Sequence, residues 1–195
     1  MIKKCYRVRL SKYIMKRKLF IAFFAAVGTL LPSLSGAQET RKIYLSGTGF
    51  GHTETWDFYC TEGRNSGKWK KIEVPSQWEL QGFGEYTYGR WYKDKDRNSG
   101  MVKRLKNPSS EQGIYRHTFS LPASYRGQQV SIVFDGVMTD TEVSVNGQMV
   151  GPKHQGGFYR FSYDITDYVS FGKKNILEVT VWKHSENKSV NNAER

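Results

Sequence analysis

Apolar and polar residues alternate with a period of two along most of the chain after residue 40. That period sends successive side chains to opposite faces of a strand and predicts half-buried strands. Arg41–Ser46 and Thr55–Thr61 are short candidates, and Trp69–Val74 is a third, closed by Pro75. Ile114–Leu121 sets Tyr115, His117, Phe119 and Leu121 on one face; Val130–Phe134 does the same for Val130, Ile132 and Phe134. Thr141–Val145 aligns Val143 with Val145 and runs into Asn146-Gly147. That dipeptide predicts a type I′ hairpin, whose two central residues need positive φ, with the return strand starting at Met149-Val150. Phe158–Tyr163 groups Tyr159, Phe161 and Tyr163, and Ile176–Trp182 groups Leu177, Val179 and Val181. Helical spacing is confined to one turn at Asp164–Val169, ending near Gly172. About eight or nine short strands with Gly and Asn turns imply an all-β fold, read here as an antiparallel jelly-roll β-sandwich.

The first 37 residues follow a different pattern. Lys3, Lys4, Arg7, Arg9, Lys12, Lys16, Arg17 and Lys18 appear without an acid, and an apolar run, Leu19–Leu31, follows. Pro32 breaks the run, and Ser35-Gly36-Ala37 offers small residues for cleavage. Basic head, short apolar middle and small-residue exit describe a secretory signal peptide, removed on export. The run is shorter than the ~20 residues of a membrane span. Its head is long for a signal, and a start at Met15 would give a more usual one. The expected division is 1–37 as signal and 38–195 as the folded domain, in an exported, periplasmic or extracellular protein with no membrane association after cleavage.

This division changes the meaning of the charge. The 30 Lys+Arg and 18 Asp+Glu give a net +12, of which +8 sits in residues 1–37 and only +4 in the remainder. The remaining charges are scattered, so nucleic acid is not an expected partner. Cys5 leaves with the signal and Cys60 stands alone in an apolar stretch, so a buried structural thiol is expected. His52, His117, His154 and His184 lack metal-ligand spacing, and no cofactor fingerprint is present; neither metal nor cofactor is expected. Gly47-Thr48-Gly49-Phe50-Gly51 has no helix after it and reads as a turn. Glu79, Glu85, Glu111 and Glu142 are the available acids for glycoside chemistry, which needs two facing carboxylates; each reads as a solvated surface group. No catalytic residue emerges.

A binding role has more support. The long stretch 76–113 holds Trp78, Phe83, Tyr86, Tyr88, Trp91 and Tyr92 among polar residues. Aromatic rings stack on the apolar faces of sugars while amides and carboxylates bond their hydroxyls. The same rings can equally plug the ends of a sandwich.

Several segments together carry a resemblance. Trp69-Lys-Lys-Ile-Glu-Val-Pro75-Ser-Gln-Trp78, Gly113-Ile-Tyr115-Arg116, Val130–Val137, Glu142–Gly151 with its Asn146-Gly147, His154–Phe161, Tyr163–Thr166 and Asn175–Val181 occur in an order that resembles the N-terminal sugar-binding domain of glycoside hydrolase family 2. The resemblance implies a galactose-binding-domain-like jelly roll in which Trp69 and Trp78 serve as core plugs. Asn107-Pro108, ahead of Gly113-Ile-Tyr115, is similar to an Asn-Pro that contacts substrate in the β-galactosidase branch, and Asn107 is the substrate contact implied. The family's catalytic glutamates belong to a barrel C-terminal to this domain, which this sequence does not contain. The resemblance therefore implies a fragment, inactive alone and incomplete at its C-terminus, whose partners are a β-galactoside or related glycan and the remaining domains of the enzyme. A stand-alone carbohydrate-binding module and a structural or adhesion sandwich are the alternatives.

Overall fold

The computed structural model describes residues 8–13, 40–85 and 110–193. Their strands are β1 (Val8–Tyr13), β2 (Lys42–Tyr44), β3 (Glu54–Cys60), β4 (Trp69–Val74), β5 (Gln112–Ser120), β6 (Gln129–Phe134), β7 (Asp140–Val145), β8 (Gln148–Met149), β9 (His154–Gln155), β10 (Phe161–Asp164) and β11 (Lys174–Trp182). One short helix, α1 (Lys188–Ala193), follows. A four-stranded sheet runs β10-β6-β1-β2; a seven-stranded sheet runs β4-β3-β5-β11-β7-β8, with β9 also on β7. All pairings are antiparallel. The molecule is a jelly-roll β-sandwich.

The period-two reading accounts for the core. Trp56, Phe58 and Cys60 of β3, Ile72 and Val74 of β4, Tyr115 and Phe119 of β5, and Leu177, Val179 and Val181 of β11 are all buried. Val130, Ile132 and Phe134 of β6 face them from the other sheet and are equally buried. The register Phe58↔Tyr115 and Tyr115↔Val179 puts these side chains in one row across three strands. A shift of one residue would turn the row out to water, so burial itself specifies the pairing.

Asn146 (φ 53°) and Gly147 (φ 80°) make the expected turn with positive φ at both positions. Asn146 does more than permit that φ. Its Nδ2 donates to the Tyr168 carbonyl (2.8 Å) and to Asn175 Oδ1 (2.9 Å), and its Oδ1 accepts from the Ile176 N–H (3.0 Å). The turn is thereby tied to β11. Asn146→Ala loses three bonds and meets the left-handed penalty, so it should lower unfolding stability by about 2 kcal/mol in urea titration.

His117 sits half-buried with its ring stacked on Trp56, centroids 4.7 Å apart. Burial pushes its imidazole below the usual value, against the opposing pull of Glu54 and Asp57. A lowered folded pKa means that the unfolded chain takes up the proton first. The associated stability is complete above about pH 6.5 and is lost as pH falls through the lower folded value. His117→Gln should therefore flatten the decline in urea midpoint between about pH 6.5 and 5 relative to wild type.

Four expectations need correction. β1 lies within residues 1–37, where no strand is predicted, and β9, two residues long, raises the strand count further; the expected return strand after the hairpin is β8, Gln148–Met149. Tyr159 falls outside β10 and is exposed, because the strand starts only at Phe161. Trp69 is not a core plug: it lies on the outer face, 42% exposed, under the Arg116 guanidinium at 4.2 Å. Its place as the first residue of β4, with Ile72 and Val74 turned inward, puts it on the opposite face. The fourth correction concerns the acids and belongs to the site below. Asp164–Val169 makes a single turn, and Gly47–His52 is a tight turn closed by His52 N–H to Gly49 O (3.0 Å), as expected.

Candidate functional site

The stretch 86–109 lies outside the described residues, and with it Asn107, Tyr86, Tyr88, Trp91 and Tyr92. What the structure does describe is how that stretch is anchored. Its two stems, Phe83–Glu85 and Ser110–Gln112, meet at one end of the sandwich beside Lys183, which directly follows β11.

The anchor is ionic and buried. Lys183 Nζ lies 3.0 Å from Glu111 Oε1 and 3.7 Å from Glu79 Oε1. Side-chain exposures are 1% for Lys183, 1% for Glu111 and 5% for Glu79. Glu111 Oε1 also accepts from Trp78 Nε1 (2.9 Å), and Oε2 accepts from the Glu85 N–H (3.0 Å). Lys183 Nζ donates in turn to the Glu85 carbonyl, and its own N–H to the Glu111 carbonyl (3.0 Å). Lys183 and Glu111 thus each have an opposite charge and hydrogen bonds, and Glu79 has Lys183 as its counter-ion, the condition under which burial of ions is tolerated.

Local chemistry delivers each part. Pro75 ends β4, and the chain turns through a 3₁₀ segment, Trp78–Gln81, closed by Gly82 in the left-handed region. That turn points Trp78 into the core and Glu79 at Lys183. Gly84 (φ 62°) then passes against Glu111: a Cβ there would stand 2.1 Å from the carboxylate. Arg64 closes the outer side, its Nε donating to Gly84 O (3.1 Å) and its Nη2 to Glu79 O (3.2 Å).

This corrects the reading of the acids. Glu79 and Glu111 are buried counter-ions, not solvated groups. Glu142 lies on β7, 3.5 Å from Lys153, and Glu85 contributes its backbone. Carboxylates spent on a buried lysine are not free to flank a sugar, so this node is an anchor and not an acid–base pair. Trp78 and Phe83 are core rings packed on Phe58, at 5.9 and 4.9 Å between centroids. Cys60 is buried beside them; burial pushes its thiol up, which opposes nucleophilic use. Among the described residues, no group of three or more His, Cys, Asp or Glu is placed to hold a metal ion, and no helix is long and apolar enough to cross a membrane. Nothing in the sequence sets Lys183 apart, because a lysine after an apolar strand ordinarily marks the return to solvent.

A β-galactosidase of Bacteroides ovatus is 28% identical over 141 residues, 65% of this chain and 14% of that protein. A β-galactosidase of Thermoanaerobacter pseudethanolicus is 43% identical over 68 residues, 34% of this chain and 9% of its own length. A β-glucuronidase of Formosa agariphila is 39% identical over 67 residues, 34% of this chain and 7% of that protein. Among solved structures, a glycosyl hydrolase family 2 member from Bacteroides cellulosilyticus aligns with TM-score 0.47 at 25% identity, over 69% of this chain and 17% of that one. The chain spans about a tenth of the length of these curated relatives. Residues 57–194 match the family described as glycosyl hydrolases family 2, sugar binding domain, and the chain belongs to that family.

Proposed function

We propose that this domain serves as the non-catalytic carbohydrate-binding and scaffold domain of an exported β-glycosidase of β-galactosidase type. The observation that carries the reading is the family match over residues 57–194, which covers β4 to β11 and both stems of the anchored stretch. Joined to a barrel carrying two glutamates, such an enzyme would cleave O-glycosyl bonds by double displacement with retention. The domain's part would be to hold residues 86–109 on a rigid base, so that Asn107 can reach a β-galactoside in the neighbouring barrel. A site supported from a packed core keeps its geometry better than one on a free loop.

A stand-alone carbohydrate-binding module is the second reading. It is favoured by exposed rings able to stack on sugar faces, Trp69, Phe158 and Tyr159.

The test uses the purified chain with a nitrophenyl β-galactoside and with calorimetric titration of galactosides and plant glycans. The scaffold reading expects no turnover and Kd values above about 1 mM. Binding tighter than about 100 μM would support the module, and any turnover would refute both. N-terminal sequencing of the exported protein tests the leader; an intact residue 1 refutes its cleavage.

A further inference from the structure

The outer face of the seven-stranded sheet carries two rows of side chains that its register places side by side. One row is charged and crosses four strands. Lys71 of β4, Asp57 of β3, Arg116 of β5 and Glu178 of β11 are successive cross-strand partners, alternating in sign. Lys71 Nζ lies 2.6 Å from Asp57 Oδ1, and Arg116 Nη2 lies 2.7 Å from Glu178 Oε2. The neighbouring row is aromatic. Trp69 and Tyr59 stand across from each other on β4 and β3, with ring centroids 5.6 Å apart. Arg116 joins the rows by reaching over the Trp69 ring at 4.2 Å, and much of that ring still faces solvent.

Stability does not account for this face. Its four charged side chains are 34% to 67% exposed, and exposed ion pairs contribute little because water screens them and long side chains lose freedom. The charged row also keeps bonding capacity. Arg116 spends Nε and Nη2 on a single oxygen, Glu178 Oε2, at 3.1 and 2.7 Å. Among the described residues, nothing else bonds Glu178 Oε1 or Arg116 Nη1.

We propose that this face is a docking surface for an extended, neutral polysaccharide of β-linked pyranoses, the polymer on which the enzyme would act. The ligand's class rests on the β-glycosidase reading above; the surface rests on the register. Pyranose ring faces stack on indole and phenol rings, and their hydroxyls both donate and accept. The charged row spans three strand spacings, about 14 Å, and each linked pyranose covers roughly one such spacing. Neutrality follows from the charge pattern. Both cations are already paired, so an ionic ligand would have to displace Asp57 or Glu178. Hydroxyls can bond a paired guanidinium or carboxylate without separating the pair. A flat face buries less of a ligand than a cleft does, so affinity per site is weak; a polymer compensates by presenting many overlapping sites.

The experiment is native affinity electrophoresis of the full chain in gels containing soluble β-1,4-galactan, with polygalacturonate as the anionic control. Galactan should retard the wild-type chain, and polygalacturonate should not. Trp69→Ala and Arg116→Ala should each weaken the retardation about fivefold. Phe50→Ala, exposed on the turn at Gly47–His52, should leave it unchanged. A second readout needs no altered protein to bind: galactotetraose should shift the Trp69 indole N–H resonance saturably, with a Kd of about 1–5 mM. The proposal is overturned if Trp69→Ala is retarded as strongly as wild type, or if polygalacturonate retards the chain as strongly as galactan. Retardation lost on Tyr159→Ala and kept on Trp69→Ala overturns the face while leaving carbohydrate binding standing. Absence of both retardation and the Trp69 shift, or a Trp69-dependent dimer in their place, marks the face as a protein contact and overturns the proposal. The scaffold reading survives that result, because turnover and titration with small galactosides test it separately.

Discussion

Lys183→Met should destabilise the domain by about 3–5 kcal/mol, read from urea unfolding at neutral pH. The substitution keeps most of the side chain's length and removes only its charge and donors. Glu111 and Glu79, carboxylates at 1% and 5% exposure, would then both lose Lys183 as a counter-ion. The Glu85 carbonyl would also lose a donor. The large cost comes from the charges left behind and not from the attraction removed, because most of a buried pair's Coulomb gain is offset by desolvation. A triple variant follows from the same physics. Lys183→Met with Glu79→Gln and Glu111→Gln removes the stranded charges and should recover stability to within about 2 kcal/mol of wild type. If the triple variant is as unstable as the single one, packing of the lysine stem and not charge is the basis of the anchor. Since Lys183 and Glu111 grip both stems of residues 86–109, the single variant should also loosen that stretch, seen as faster proteolysis between 86 and 109.

Phe58→Ala should cost about 3–5 kcal/mol, the range for emptying a fully buried aromatic site. Phe58 is 0% exposed, with ring centroids 4.7 Å from Tyr115, 4.9 Å from Phe83 and 5.9 Å from Trp78. Around Phe58 of β3 these rings come from β5, the 3₁₀ segment beyond β4 and the chain just after it, so no single element can close the cavity by shifting. Phe58→Leu should cost only about 1–2 kcal/mol, because it keeps much of the volume. The adjacent Tyr59, on the other face beside Trp69 (5.6 Å), is the control: Tyr59→Ala should cost about 1 kcal/mol or less. Denaturant midpoints for the three variants give the comparison. Equal effects at 58 and 59 would contradict the register of β3.

The strands were readable because alternation is a local property. β4 runs over Trp69–Val74 as the pattern predicts, and β11 extends the predicted Ile176–Trp182 by two residues at its start. The Asn146-Gly147 turn was readable for a similar reason, since positive φ is a property of the residues themselves. Trp69 misled because a tryptophan weighs heavily as a core residue, whereas the parity of β4 turns it outward. The site was scarcely readable. Nothing local sets Glu79 or Glu111 apart from other surface acids. Their partner stands more than seventy residues away in one case and about a hundred in the other, and only β5–β11 pairing brings it alongside.

The sequence by itself determined the all-β class, the faces of the main strands, the position of the tight hairpin and the family resemblance. Each rests on the stereochemistry of single residues, on a short period or on the order of short motifs. Tertiary structure decided which strands are neighbours, which polar residues are buried, and where the stems Phe83–Glu85 and Ser110–Gln112 are held. Those outcomes depend on desolvation and charge pairing between residues distant in sequence, and a buried Lys183 differs from an exposed one only by what the fold places around it.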